Sequence, residues 1–395
     1  MTRVVDLNST LILARMGELF LKGQNQSWFV KKLRSNLKAN LLIAVGACTI
    51  TEARGQLFIR LESNEQLRAA LDVCANTPGL MSCSPVIRVE TDPDLIRETA
   101  TRLAVATWQG QQITFSVKSK RADKRYKMTS PEMNRYVADG ILDELDLKVD
   151  LKAPQVVMNI SYKRDLAHIW TESIEGVGGM PIGATGKVML LLSGGIDSPV
   201  AGFLAQKRGC RLNGIYFHSP PFISEASREK VEELARRLAV RQNGMRLHVV
   251  SFTNIQKAIR DACDPKLTVL LYRRFMYRIA AQVAKQADCY ALCTGESLAQ
   301  VASQTLENLH MVDSATDMLT LRPLLAYDKA EIVKLARQID TLETSTLPYD
   351  DCCSLFVPKH PVTRGRHSVI DTAESRLDVD ALVNEALLAI DIVDL

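Results

Sequence analysis

Residues 188–199 read Val188-Met189-Leu190-Leu191-Leu192-Ser193-Gly194-Gly195-Ile196-Asp197-Ser198-Pro199. Five apolar residues in a row, without polar alternation, predict a strand buried on both faces, as in a parallel sheet. Ser193-Gly194-Gly195 ends it in a turn, and Pro199 marks a helix beginning at that proline. A strand, a glycine turn rich in N–H groups and hydroxyls, and a helix N-terminus together suit a phosphate chain. The Walker pattern Gly-x4-Gly-Lys-Ser/Thr is absent, so this is a different phosphate loop. Gly194 and Gly195 permit positive φ and close backbone approach. Ser193 and Ser198 supply hydroxyls. Asp197 fits beside polyphosphate if it holds magnesium or a water.

Outward from this stretch, strand and helix alternate. Strands are expected at 212–217, 247–252, 290–294 and 319–321, and helices at 227–238 and 268–286. That order predicts a parallel sheet with helices on both faces, which binds ligands at the carboxyl ends of its strands. Tyr216 and Phe217 end one strand. Gly295 follows another, where it lets backbone approach a flat ligand such as adenine. Arg273 on the long helix is placed to balance phosphate charge, or else is a solvated arginine.

Upstream the pattern differs. Strands at 10–14, 47–51 and 56–61 with a helix near 28–43 suggest a small α+β sandwich. Helices at 64–76, 93–108 and 130–144 and strands at 86–89, 112–117, 156–160 and 167–172 follow. Gly176-Val177-Gly178-Gly179-Met180-Pro181-Ile182-Gly183 reads as a linker and main boundary. The 395 residues suit two or three domains, and 47% apolar residues suffice for their cores. The net charge of +4 permits an anionic partner without demanding one. The start is no signal peptide, and no apolar run reaches the ~20 residues of a membrane helix. The expected setting is cytoplasmic, with the nine scattered cysteines reduced.

Ser-Gly-Gly-Ile-Asp-Ser resembles the PP-loop of the ATP pyrophosphatases. The run Gly186–Gly202, with Phe217–Phe222, Thr294–Leu309, Arg322-Pro323-Leu324 and Asp351-Cys352-Cys353, is similar to the tRNA 4-thiouridine synthetase (tRNA sulfurtransferase) family. Gly17-Glu18 and Leu21-Lys22-Gly23 extend the likeness to nearly the whole chain. The resemblance implies a multi-domain α/β fold: an α+β ferredoxin-like domain (1–64), a THUMP RNA-binding domain (65–173) and a parallel-sheet PP-loop ATP pyrophosphatase domain (174–395). It implies ATP contacts at Leu191, Leu192, Ser193, Gly194, Gly195, Asp197, Ser198, Tyr216, Phe217, Arg273, Gly295 and Gln304. It further implies magnesium, adenylation of uridine 8 of tRNA, replacement of O4 by sulfur, and a homodimer. A cysteine desulfurase or other persulfide donor is the implied upstream partner. Sulfur transfer to the carrier protein of thiamine thiazole synthesis is an implied second role. Two positions depart from the family: Ala299, where glycine is common, and Gln26, where a basic residue is common. The chain resembles the short form, ending about forty residues past Cys353, without the rhodanese domain and its relay cysteine.

Cys352 and Cys353 are the candidates for handling sulfur. Asp350 and Asp351 beside them raise a thiol pKa, with Lys359, His360 and Arg364 available to compensate. Two structural thiols is the bland alternative. An iron–sulfur cluster on Cys289, Cys293 and one of the pair is disfavoured, because the first two would stand ~13 Å apart on an extended strand. Lys118, Lys120, Arg121, Lys124, Arg125 and Lys127 crowd ten residues holding one acid. As a solvated loop they would mean nothing. As part of a THUMP domain they position RNA through its phosphates, with Tyr126 placed to stack on a base. The competing readings are another adenylating enzyme, such as a 2-thiouridylase or an amide-forming ligase, and a tRNA-binding protein with a degenerate nucleotide site. The first 170 residues oppose the former and the intact Ser193–Ser198 loop the latter.

Overall fold

The computed structural model describes residues 9–395, apart from 54, 124, 164, 353–354 and 357–360 and the side chain of Phe20. Cys353, Lys124, Lys359 and His360 therefore lie outside the described residues. The chain divides into two compact units, Met1–Gly179 and Met180–Leu395, and the division falls inside the expected glycine linker.

The first unit contains strands β1 (Leu11–Met16), β2 (Thr49–Ala53), β3 (Gln56–Arg60), β4 (Leu80–Pro85), β5 (Ile87–Glu90), β6 (Thr114–Arg121), β7 (Lys148–Val149), β8 (Val156–Tyr162), β9 (Leu166–Trp170) and β10 (Ile174–Glu175). Its helices are α1 (Gln26–Val45), α2 (Leu67–Asn76), α3 (Pro93–Trp108) and α4 (Ser130–Glu144). They form two sheets, ordered β10-β4-β1-β3-β2 and β5-β9-β8-β6-β7. The first sheet corrects the expected boundary at 64. Strand β4 pairs antiparallel with β1, Leu13 opposite Ser84, so α2 and β4 belong with the residues before them. Helix starts follow local chemistry. Asp92 caps α3 through the N–H groups of Asp94 and Leu95, with Pro93 as first residue. Thr129 and Glu132 form a capping box on α4. Ile96, Ala100, Val137 and Ile141 of these helices bury against Phe115, Met158 and Ile160 of the second sheet.

The second unit holds β11 (Lys187–Leu191), α5 (Asp197–Lys207), β12 (Arg211–His218), α6 (Glu225–Ala239), β13 (Arg246–Ser251), α7 (Thr253–Ala262), α8 (Thr268–Gln286), β14 (Ala291–Cys293), α9 (Leu306–Asp313), β15 (Leu319–Leu321), α10 (Lys329–Gln338), α11 (Leu342–Ser345), α12 (His367–Glu374), α13 (Val379–Leu388) and β16 (Ile390–Asp394). The sheet order is β15-β14-β11-β12-β13-β16. Five strands are parallel as expected. The sixth, β16, runs antiparallel on β13, which amends the all-parallel expectation. Strand order reverses at β11, whose neighbours are β12 and β14, so a crevice opens past the ends of β11 and β14. Helix α8 is buried along its length, and Leu271, Phe275 and Ile279 join Met189, Ile215 and Leu292 in one core.

Candidate active site

A cavity of about 280 Å³ lies at that crevice. Helix α5 begins at Asp197, two residues before the expected start, so Pro199 is its third residue. That position still lacks an intrahelical N–H bond, so proline costs nothing there. The Ser198 hydroxyl takes the Ser193 N–H at 2.9 Å and the Ser193 hydroxyl the Gly195 N–H at 3.3 Å. The loop is thus held by its own serines. Neither Gly194 nor Gly195 adopts positive φ, so that freedom is not used. Their use is the missing side chain: a Cβ on Gly194 would stand 3.4 Å from the Lys230 methylenes.

Of the residues expected around a nucleotide, Leu191, Leu192, Ser193, Gly195, Asp197 and Ser198 line the cavity from the β11 side, Tyr216 and Phe217 from β12, and Arg273, Gly295 and Gln304 from the far wall. Gly194 does not line it. Gly295 approaches the phosphate loop rather than an open ligand face, since a Cβ there would lie 2.6 Å from the Ser198 nitrogen. Arg273 is tied down as well. It ion-pairs with Glu296 and donates to the Ser303 carbonyl at 2.8 Å. Glu296 also receives Arg322 at 2.5 Å, Tyr277 at 3.1 Å and Thr294 at 2.9 Å. This buried cluster fixes the segment after β14. Gln304 brings a buried side-chain oxygen without a hydrogen-bond partner among the described residues. A buried amide end of this kind matches the amine and ring nitrogens of a base edge.

Two residues at the site had no motif to announce them. Lys329 donates from Nζ to Asp197 Oδ1 at 2.6 Å, and the Gln300 amide reaches Asp197 Oδ2 at 3.0 Å. Asp328 and Glu331 form a capping box that starts α10 at Lys329 and so places the lysine. Lys230, 6% exposed on α6, donates to the Leu347 carbonyl at 2.8 Å. Cys352 lines the same cavity, buried beside Asp351. Burial, opposed by N–H donors, holds the Asp351 carboxyl above its ordinary pKa.

A family described as "Thiamine biosynthesis protein (ThiI)" matches residues 183–379, the ThiI ferredoxin-like domain residues 11–84, and the THUMP domain residues 90–172. A probable tRNA sulfurtransferase of Brevibacillus brevis is 44% identical over 96% of this chain and 95% of its own. One of Acetivibrio thermocellus is 40% identical over 95% and 96%. The chain belongs to the tRNA sulfurtransferase (ThiI) family. Among solved structures, a 4-thiouridine synthetase–RNA complex with bound ATP superposes with a TM-score of 0.88 at 35% identity, covering 98% of this chain and all of that one.

The remaining candidates of the family pattern fall as follows. The basic residues begin on a strand, since β6 runs four residues further than expected, to Arg121. Lys118, Lys120, Arg125 and Lys127 are exposed. Arg121 folds back onto the Tyr126 and Met128 carbonyls, and Arg125 pairs with Asp123 at 3.2 Å. Tyr126 packs on Tyr162 at 5.1 Å and donates to the Thr91 carbonyl, so its ring fastens the loop rather than standing free to stack. Cys289 contacts Asn213 and Cys293 the Ala201 carbonyl. Burial pushes the Cys289 thiol up to about 11 and that of Cys293 higher still. Among the described residues no three His, Cys, Asp or Glu side chains could hold a metal ion together, and no helix is long and apolar enough to cross a membrane.

Proposed function

We propose that the protein adenylates uridine 8 of a tRNA at the Ser193–Ser198 loop and replaces its O4 with sulfur. The observation carrying this reading is that Cys352 shares one cavity with the phosphate loop, so an activating and a sulfur-handling group converge. Uracil O4 is a poor leaving group. Its attack on the α-phosphorus of ATP expels pyrophosphate and leaves AMP on the oxygen; sulfide then attacks C4 and AMP departs, or a persulfide does so and a second thiol attacks the carrier sulfur of the C4–S–S link, leaving as a disulfide and freeing the thiocarbonyl. The loop N–H groups and serine hydroxyls stabilise charge on the phosphates. Lys329, held by Asp197, offers a cation beside the helix start, and Gln304 offers its free amide end to adenine. Asp197 is the carboxylate that would hold magnesium, in exchange for its contacts with Lys329 and Gln300, since this ion needs one or two carboxylates besides phosphate oxygens and water. Lys118, Lys120 and Lys127 position the RNA without reading its sequence.

The sulfur comes from a cysteine desulfurase or another persulfide donor. A second delivery, to the sulfur-carrier protein of thiazole synthesis, is in keeping with a family described by thiamine biosynthesis. The test is mass spectrometry of tRNA nucleosides from cells with and without the gene, and pyrophosphate release from ATP with unmodified tRNA. Loss of 4-thiouridine with the gene, and of pyrophosphate release in Asp197→Ala with tRNA binding retained, is expected. Unchanged 4-thiouridine would sink the reading.

A further inference from the structure

The buried stripe of α6 runs through Ser227, Lys230, Val231, Leu234 and Leu238. Lysine is the foreign member. A leucine there would gain by leaving water, whereas an ammonium loses its hydration and needs partners in return. The other basic residues of this helix meet carboxylates. Arg228 and Arg236 reach Glu232 at 2.9 and 3.2 Å, and Arg237 reaches Glu233 at 3.0 Å. Lys230 makes no such ion pair among the described residues. Its one hydrogen-bond partner there is a neutral group, the Leu347 carbonyl, at 2.8 Å. Burial outweighs the attraction of the Asp351 charge and lowers the Lys230 pKa. This is a cation short of countercharge.

The ammonium ends beside the phosphate loop. Its Nζ stands 3.5 Å, and the two methylenes before it 3.4 Å, from the point where a Cβ on Gly194 would lie. Residue 194 has no Cβ, so no side chain of the loop comes between that turn and the cation. The donors of the loop itself are neutral: backbone N–H groups and the hydroxyls of Ser193 and Ser198. Two further cations at this site are already engaged, Lys329 by Asp197 and Arg273 by Glu296. A phosphate chain seated on the turn brings several negative charges. An ammonium beside it attracts them more strongly than it would in water, because it is buried.

We propose that Lys230 is a binding residue for the pyrophosphate portion of ATP, supplying the countercharge that the neutral donors of the Ser193–Ser198 loop lack. The Leu347 carbonyl keeps one of its protons and fixes the ammonium in place; the other protons serve the anion. The lysine thus acts on the phosphates that leave rather than on the AMP that stays. The inference rests on the adenylation reading and adds to it a residue that tells ATP from AMP.

The test is calorimetry on the full-length protein with magnesium present. Binding of ATP, pyrophosphate and AMP is measured for the wild type and for Lys230→Met, which keeps the buried stem and drops the charge. ATP and pyrophosphate are expected to bind at least about tenfold more weakly to the variant, and AMP within about twofold of the wild type. A lysine that only props up the Leu347 segment would, on removal, weaken all three ligands alike or none of them. Either of those results overturns the proposal and leaves the adenylation reading standing. Lys230→Gln, which keeps a donor for the carbonyl and also lacks the charge, takes over the comparison if the methionine variant melts below the assay temperature. Failure of both ATP and pyrophosphate to bind the wild type removes the adenylation reading, and this inference with it.

Discussion

Ala299 has a φ of 60°, a left-handed backbone that costs a side chain roughly 1–2 kcal/mol and glycine little. It stands next to Gln300, whose amide holds Asp197. Ala299→Gly should therefore raise stability, by up to about 1 kcal/mol once the freedom glycine gains in the unfolded chain is subtracted; thermal melts measure this, and a lower melting temperature counts against it. A larger effect is expected at Gly295, where a methyl meets the Ser198 nitrogen at 2.6 Å. Gly295→Ala should weaken ATP binding at least tenfold by pushing the loop, with calorimetry as the check and an unchanged affinity counting against the packing. Lys329→Gln should abolish pyrophosphate release while tRNA still binds. The phosphate loop was legible because its whole apparatus lies within six consecutive residues. Lys329 was not, since its partner lies 132 positions away and only the fold joins them. The capping signal at Asp328 and Glu331 located the helix start but not what it faces.

Helix α12 is pinned to α8 by one carboxylate. Glu374 receives both Arg274, at 2.8 and 2.9 Å, and Arg278, at 2.6 and 2.7 Å. Burial alone would raise this carboxyl, but the two guanidinium groups outweigh it and bring it from 4.5 down to about 2. Its folded pKa is depressed, so the clamp contributes fully above the unfolded value and is lost as pH falls from 4.5 toward 2. Glu374→Gln should melt several degrees lower at neutral pH, with the gap to the wild type closing across that acid window. Among elements, the long helices α3, α4 and α8 were readable to the residue, α3 and α4 because caps and periodicity agree there, and α8 because its apolar residues run unbroken by glycine or proline. Strand β4 was missed. Leu80-Met81-Ser82-Cys83-Ser84-Pro85 has weak strand chemistry and is extended because β1 and β10 pair with its two edges. Strand β16 was also passed over, although Ile390-Asp391-Ile392-Val393-Asp394 begins with the alternation that an edge strand shows.

At the scale of the whole chain, a net charge of +4 says little, and its placement says more. Lys118 and Lys120 are exposed on one strand of the first unit, two residues apart and hence on one face. Replacing both with alanine should weaken tRNA binding across all sequences and lower its salt slope by up to about two; Arg125→Ala, whose charge already meets Asp123, should do less. Filter binding at several salt concentrations separates the two. Both units were foreseeable from the change of pattern at the glycine linker, whereas the boundary inside the first unit was not, because two small α+β sheets in succession share one pattern. The cysteines carry a further consequence. Of the eight described, Cys48 is half-buried and the others, Cys352 included, are buried. A sulfurtransferase meets a reactive cargo, and each accessible thiol off the route is a place for that cargo to stray. Sealing its bystander thiols inside the cores makes the molecule a poor sink for the sulfur it passes on.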